Sequence, residues 1–234
     1  MLILFDIDGT LLSTNGAARR AFHRALLEVY GTAGPIATHR FDGKTDPQIA
    51  RELLRAAGLA DAAIDRGLPA LWQAYLRELA DELARPGHRN TVFPGVEPLL
   101  DALEELGDRV IVGLLTGNIE AGAELKLSSA GLAGRFRLGA YGSDHEERSA
   151  LPAIALARAR ELTGRDIVGR DIVIIGDTPH DVTCGRALGV RALGVATGSF
   201  DTAALAAAGA DAVFPDLSDT AAALAWILDP DAGR

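Results

Sequence analysis

Two aspartates, Asp6 and Asp8, stand two residues apart at the end of an apolar run, Leu2-Ile3-Leu4-Phe5, and Gly9-Thr10 follow them at once. In an extended strand, residues i and i+2 point to one face. Paired carboxylates at the exit of a buried strand repel each other unless a cation is held there. A second apolar run, Ile172-Val173-Ile174-Ile175, ends in Gly176 and a third acid, Asp177. A bare Asp-x-Asp is more often a solvated strand end. The apolar run before it, the glycine turn after it and the third acid reverse that balance toward a metal-dependent site. Ligands offering only oxygen suit Mg²⁺.

The second place where chemistry gathers is Leu114-Leu115-Thr116-Gly117-Asn118. A hydroxyl and free backbone N–H groups where a helix begins form a cradle for a phosphate. The blander reading is that Thr116 or Asn118 only caps that helix. A transferring phosphoryl group also needs a cation. Arg148, in a polar loop before a helix, and Lys126, in the helix after Thr116, are the candidates. Lys44, in Gly43-Lys44-Thr45-Asp46, is a candidate to face an anionic group of a substrate, against the plainer reading of a turn plus helix cap. Asp181 either caps the helix it begins or assists a metal. His180 reads as a surface residue and Cys184 as small core filler.

These residues need elements to hold them. From Asn15 to about Arg89 the apolar spacing is helical, with Ala21, Phe22, Ala25 and Leu26, then Ile49, Leu53 and Leu54, then Leu68 to Leu83. After Pro94-Gly95 the pattern alternates, with strands at Arg109 to Leu115, Phe136 to Tyr141, Asp171 to Gly176, Val190 to Ala196 and Ala212 to Phe214, and helices between them. Alternation of that kind predicts an α/β fold, a mostly parallel sheet with helices on both faces. Such sheets bind ligands at the carboxyl ends of their strands, where the polar residues here collect. The expected division is a core of residues 1–14 and 90–234 and a helical insert of residues 15–89.

Composition narrows the partners. The 234-residue chain carries a net charge of −9, which argues against nucleic acid, since phosphate backbones need clustered cations. No run approaches the roughly 18 apolar residues of a membrane helix. The amino terminus has no basic region, and the single cysteine fits a reducing, cytoplasmic setting. A monomer or weak homodimer acting on a small phosphorylated metabolite is the expectation.

Asp6-Ile7-Asp8-Gly9-Thr10 resembles the first motif of the haloacid dehalogenase superfamily, Thr116 its second, and Gly176-Asp177-Thr178 with Asp181 its fourth. The third motif is usually a lysine followed by proline, and Arg148-Ser149 stands at that distance before a helix. The resemblance implies a Rossmann-like core with a small α-helical cap inserted after the first motif. It also implies a phosphatase working through an aspartyl-phosphate. By it, Asp6 is the nucleophile and Asp8 the acid and base. Mg²⁺ is held by Asp6, the Asp8 backbone carbonyl and Asp177. Thr116, Gly117, Asn118 and Arg148 or Lys126 grip the phosphoryl oxygens. The phosphoglycolate phosphatases are the similar subgroup, although Ser13-Thr14-Asn15 stand where they often carry an acidic pair. Sugar-phosphate mutases of this fold carry a histidine where Ala18 stands. A dehalogenase would have no use for Asp8, and a non-catalytic binding or regulatory relative would be expected to lack Asp6.

Overall fold

A computed structural model describes residues 1–232. Along the chain, β1 (Leu2–Phe5) and β2 (Leu12–Ser13) lead into three helices, α1 (Ala17–Tyr30), α2 (Asp46–Ala56) and α3 (Asp61–Leu83). There follow β3 (Thr91–Val92), α4 (Val96–Glu104), β4 (Ile111–Leu115), α5 (Glu120–Ser129), β5 (Leu138–Ala140) and α6 (Leu151–Thr163). The chain closes with β6 (Ile172–Gly176), α7 (Pro179–Cys184), β7 (Arg191–Val195), α8 (Thr202–Ala207), β8 (Ala212–Phe214) and α9 (Thr220–Leu228). Six strands form one parallel sheet in the order β5-β4-β1-β6-β7-β8.

The α/β fold expected from the alternating pattern is what forms, because its central strands are apolar on both faces. In β1, Ile3 and Phe5 join Val112, Leu114, Val173 and Ile175 beneath α4, α5 and α9. Leu2 and Leu4 turn the other way, to Ile111, Leu115, Ile172, Ile174 and the Leu151-Ala155-Ala159 stripe of α6. The sheet order reverses at β1, with β4 on one side and β6 on the other, and this is where a parallel sheet opens a crevice. Phe5 sits opposite both Leu114 and Ile175, so the residues just beyond each strand converge.

Helices α1, α2 and α3 pack on one another around Phe22, Leu26, Leu53, Leu71, Tyr75 and Leu79, a cluster separate from the two beneath the sheet. The two chain crossings between these helices and the sheet region pair as the antiparallel ribbon β2–β3. Asn15, with φ +49°, turns out of that ribbon and its amide donates to Arg89 O at 2.8 Å. The ribbon went unread in the sequence because two-residue strands show no period. Helix α3 starts at Asp61, earlier than its Leu68–Leu83 stripe suggests, because buried Ile64 continues that stripe back past Pro69. Among the described residues, no helix is long and apolar enough to cross a membrane.

Candidate active site

Asp6 follows β1 directly, and its N–H continues the ladder to Ile175 O at 3.0 Å. The chain then folds back on itself, with the N–H groups of Leu11 and Leu12 both donating to Ile7 O. This tight return depends on Gly9, at φ +90°: a Cβ there would lie 2.3 Å from Asp177 Oδ2. Thr10 Oγ1 donates to Asp177 Oδ1 at 3.1 Å, tying the end of β6 to the turn after β1.

Past β6, Thr178 and Asp181 form a reciprocal cap at the start of α7. Asp181 Oδ2 accepts from Thr178 N at 3.0 Å, and Thr178 Oγ1 accepts from Asp181 N at 3.3 Å. Asp181 therefore is a cap, but its second oxygen pairs with Arg148, which also lies 3.2 Å from Asp6 Oδ1. Asp6, Asp177 and Asp181 are all buried, with one oxygen of each within 4.8 Å of the others. Burial raises the Asp6 carboxyl above its ordinary range against the pull of Arg148. Burial, and then the charges of Asp181 and Asp6, raise Asp177 further. Three carboxyl groups thus share one guanidinium in a dry place, and the raised Asp177 holds its proton at neutral pH until another cation takes its place. That is the donor set and charge a divalent cation such as Mg²⁺ would satisfy.

Arg148 and Lys126 are both at the site, in different places. Lys126 Nζ bonds Asp8 Oδ2 at 2.6 Å and Asn118 Oδ1 at 2.5 Å. Asn118 Nδ2 in turn donates to Asp8 Oδ2 at 2.8 Å and to Thr116 Oγ1 at 2.7 Å. Thr116 itself extends β4, its N–H bonded to Ala140 O. The Nε of Arg148 is buried and has no acceptor among the described residues.

The segment leading into α2 lies across these groups. Thr45 caps α2 by accepting from Gln48 N at 3.2 Å, and its hydroxyl donates to Glu146 O at 2.6 Å. Asp46 Oδ2 accepts from Ile119 N at 2.8 Å, and burial brings this carboxyl up to about 6 although Lys126 opposes the shift. Gly117 permits the approach: a Cβ there would meet Lys44 O at 2.0 Å. Lys44 lines the cavity but its Nζ bonds Glu52 at 2.5 Å, so the anion it meets in the protein is Glu52. Asp6, Asp8, Lys44, Thr116, Gly117, Asn118, Lys126, Arg148 and Asp177 all border one cavity of about 310 Å³.

The cavity wall also takes in residues that the sequence did not single out for chemistry, Phe22, Phe41 and Tyr75 among them. Tyr75 was legible only as part of an apolar helix stripe, although its buried side chain borders the cavity. Asp46 was legible as part of the turn of residues 43–46, as a helix cap or as a member of a segment meeting substrate, but not as a buried acid bonded to Ile119 N. His180 is exposed, as expected, and Cys184 packs beside the α6 layer with its thiol pushed up to about 12 by burial.

The sheet order and the acids at the switch point between β4, β1 and β6 define an α/β fold of the doubly wound class with its site at the carboxyl ends of the strands. The model of the haloacid dehalogenase-like hydrolases matches residues 3–186, and the chain belongs to that family. It is 31% identical over 202 residues to the tyrosine-protein kinase PtkA of Mycobacterium tuberculosis (strain ATCC 25618 / H37Rv), covering 84% of this chain but only 62% of that protein's length. It is equally 31% identical, over 229 residues, to a plasmid-borne phosphoglycolate phosphatase of Cupriavidus necator, covering 97% of this chain and 93% of that one. The crystal structure of a hydrolase from Pseudomonas syringae shares the fold, with a TM-score of 0.68 at 23% identity, covering 95% of this chain and 97% of the other.

Proposed function

We propose that the protein is a Mg²⁺-dependent phosphatase that hydrolyses a small phosphomonoester through a phosphorylated Asp6. The observation that carries this reading is the buried trio Asp6, Asp177 and Asp181 with Arg148 among them, of which Asp6, Asp177 and Arg148 border the same cavity as Asp8. Asp6 and Asp177 would hold the cation, with Asp181 beside them and the Asp8 carbonyl as a further oxygen. When bound, the ion neutralises charge on the phosphoryl oxygens.

The chain's own residues do the rest. Arg148 keeps Asp6 ionised and oriented for attack on phosphorus, and its unpartnered Nε is a donor for a phosphoryl oxygen. Thr116, with the Gly117 and Asn118 turn, supplies further donors. Asp8, whose side chain is 44% exposed toward the cavity, protonates the departing oxygen and later takes a proton from water. Residues 15–89 serve as a cap that closes over the cavity and excludes bulk water. A volume of about 310 Å³ suits a leaving group of a few heavy atoms. A relative matched over nearly its whole length is a phosphoglycolate phosphatase, which favours a short carboxylated substrate of that kind. Ala18, on the cavity wall at the start of α1, offers no proton carrier for mutase chemistry.

The test is phosphate release from a panel of small phosphomonoesters, with Mg²⁺ and with chelator, beside Asp6→Asn. Hydrolysis of several esters, loss of activity in chelator, and at least a thousandfold loss (roughly 4 kcal/mol of barrier) in the variant are expected. Full turnover by Asp6→Asn sinks the reading.

A further inference from the structure

We propose that Lys126 is a positioning residue that fixes where the catalytic proton sits on Asp8, and is not a ligand of the phosphoryl group. The inference rests on the phosphatase reading above. Its footing is the hydrogen-bond direction around one buried ammonium.

The Lys126 side chain is 4% exposed, and a buried ammonium needs acceptors close by. Asp8 Oδ2 and Asn118 Oδ1 fill that role. Because Asn118 Nδ2 also donates to Asp8 Oδ2, that oxygen takes two donors, while Oδ1 takes none among the described residues. A carboxyl torsion is intrinsically broad and two-fold. On a half-exposed side chain, these two donors are what hold its plane. A proton arriving at Asp8 finds Oδ2 already faced by N–H hydrogens and is left to Oδ1.

The reaction then balances on that oxygen. In the first half, the Asp6 O–P bond forms and the ester P–O bond breaks, and the Oδ1 proton passes to the departing oxygen. In the second half, a water oxygen bonds phosphorus as the Asp6 O–P bond breaks, and Oδ1 takes up the water's proton.

Lys126 also sets the sense of its neighbours. An ammonium only donates, so the amide atom facing it is the Asn118 oxygen. That turns the Asn118 NH₂ toward Asp8 and Thr116. Thr116 Oγ1 accepts from Nδ2 at 2.7 Å and from Asn118 N at 3.3 Å, which leaves its own hydrogen to be donated into the cavity. One ammonium thereby orders three side chains without touching substrate.

Leaving-group dependence separates this role from the others. Two substrates are compared, a two-carbon alkyl phosphate, whose leaving oxygen needs a proton, and 2,4-dinitrophenyl phosphate, whose leaving oxygen does not. Lys126→Met should lower the rate of the first half-reaction, read as the single-turnover release of the leaving group, by roughly a hundredfold on the alkyl ester and by less than about fivefold on the dinitrophenyl ester, while the second half-reaction, common to both esters, slows equally. Asp8→Asn should show the same selectivity, and the double variant should be no slower than Asp8→Asn alone. Inhibition by inorganic phosphate should stay within about threefold of the unmodified chain. Lys126→Gln, which keeps an N–H donor, should fall between, and it carries the comparison if the Met variant melts early. Equal losses on both esters with weakened phosphate inhibition make Lys126 a phosphoryl ligand and overturn the proposal. Unchanged turnover overturns it as well. No turnover of either ester by the unmodified chain removes the phosphatase reading and this inference together.

Discussion

Two cations at one cavity, Arg148 and Lys126, live in different electrostatic settings. Arg148 lies among Asp6 and Asp181, whose side chains are 7% and 2% exposed. Lys126 is as deeply buried, but its partner Asp8 opens to the cavity. Each choice of residue follows from its setting. A guanidinium stays charged in a dry site and presents a fork that can meet two carboxylates. A compact ammonium can point its hydrogens at two oxygens on one side and leave a third group free. The difference teaches that the first group is built around excess negative charge, and the second around a balanced pair with one oxygen left open.

The sharpest way to break the contrast is Arg148→Met. It leaves the buried carboxylates of Asp6 and Asp181 without their cation and should cost the metal-free chain about 3–5 kcal/mol. A denaturant melt reads it, and a loss under about 1 kcal/mol would mean that the carboxylates are not sharing this cation.

Asp46, near the Lys126 group, gives the next largest effect. Its carboxyl sits at about 6 in the folded chain, above the ordinary value near 4. Between those values the unfolded chain has released this proton and the folded chain still holds it, so stability falls as pH rises through that window. Asp46→Asn keeps an oxygen for Ile119 N–H and removes this slope. Relative to the unmodified chain, the variant should gain about 2–3 kcal/mol between pH 4 and pH 7 in urea melts. Parallel pH curves for the two proteins would show that burial of Asp46 carries no such penalty.

The smallest effect sharpens the first group. Asp177→Asn relieves repulsion among the buried acids, so the chelator-treated protein should gain about 1–2 kcal/mol, or roughly 2–8 °C in Tm. The same change should abolish most of the Tm rise on adding Mg²⁺. A large Mg²⁺-induced rise retained in Asp177→Asn would remove this carboxylate from the cation's ligands.

The strands were legible because a parallel sheet buried on both faces demands continuous apolar runs, and Leu2–Phe5 and Ile172–Ile175 have no other use in a chain of this size. The order of the motifs was equally open to reading. The partners of those motifs were not. Asp181 follows Asp177 by four residues, and sequence could not say that one of its oxygens caps a helix while the other meets Arg148. Tyr75 looked like any other residue of an apolar stripe, and only the packing of α3 against α1 and α5 puts its side chain on the cavity wall.

Sequence by itself determined which residues end the central strands, since periodicity and strand-end chemistry are local. The tertiary structure alone decided which cation serves which acid. Lys126 is 118 positions from Asp8 and Arg148 is 142 from Asp6, and hydrogen bonds act over about 3 Å whatever the separation along the chain. Only the parallel pairing of β4, β1 and β6 brings those groups within that reach.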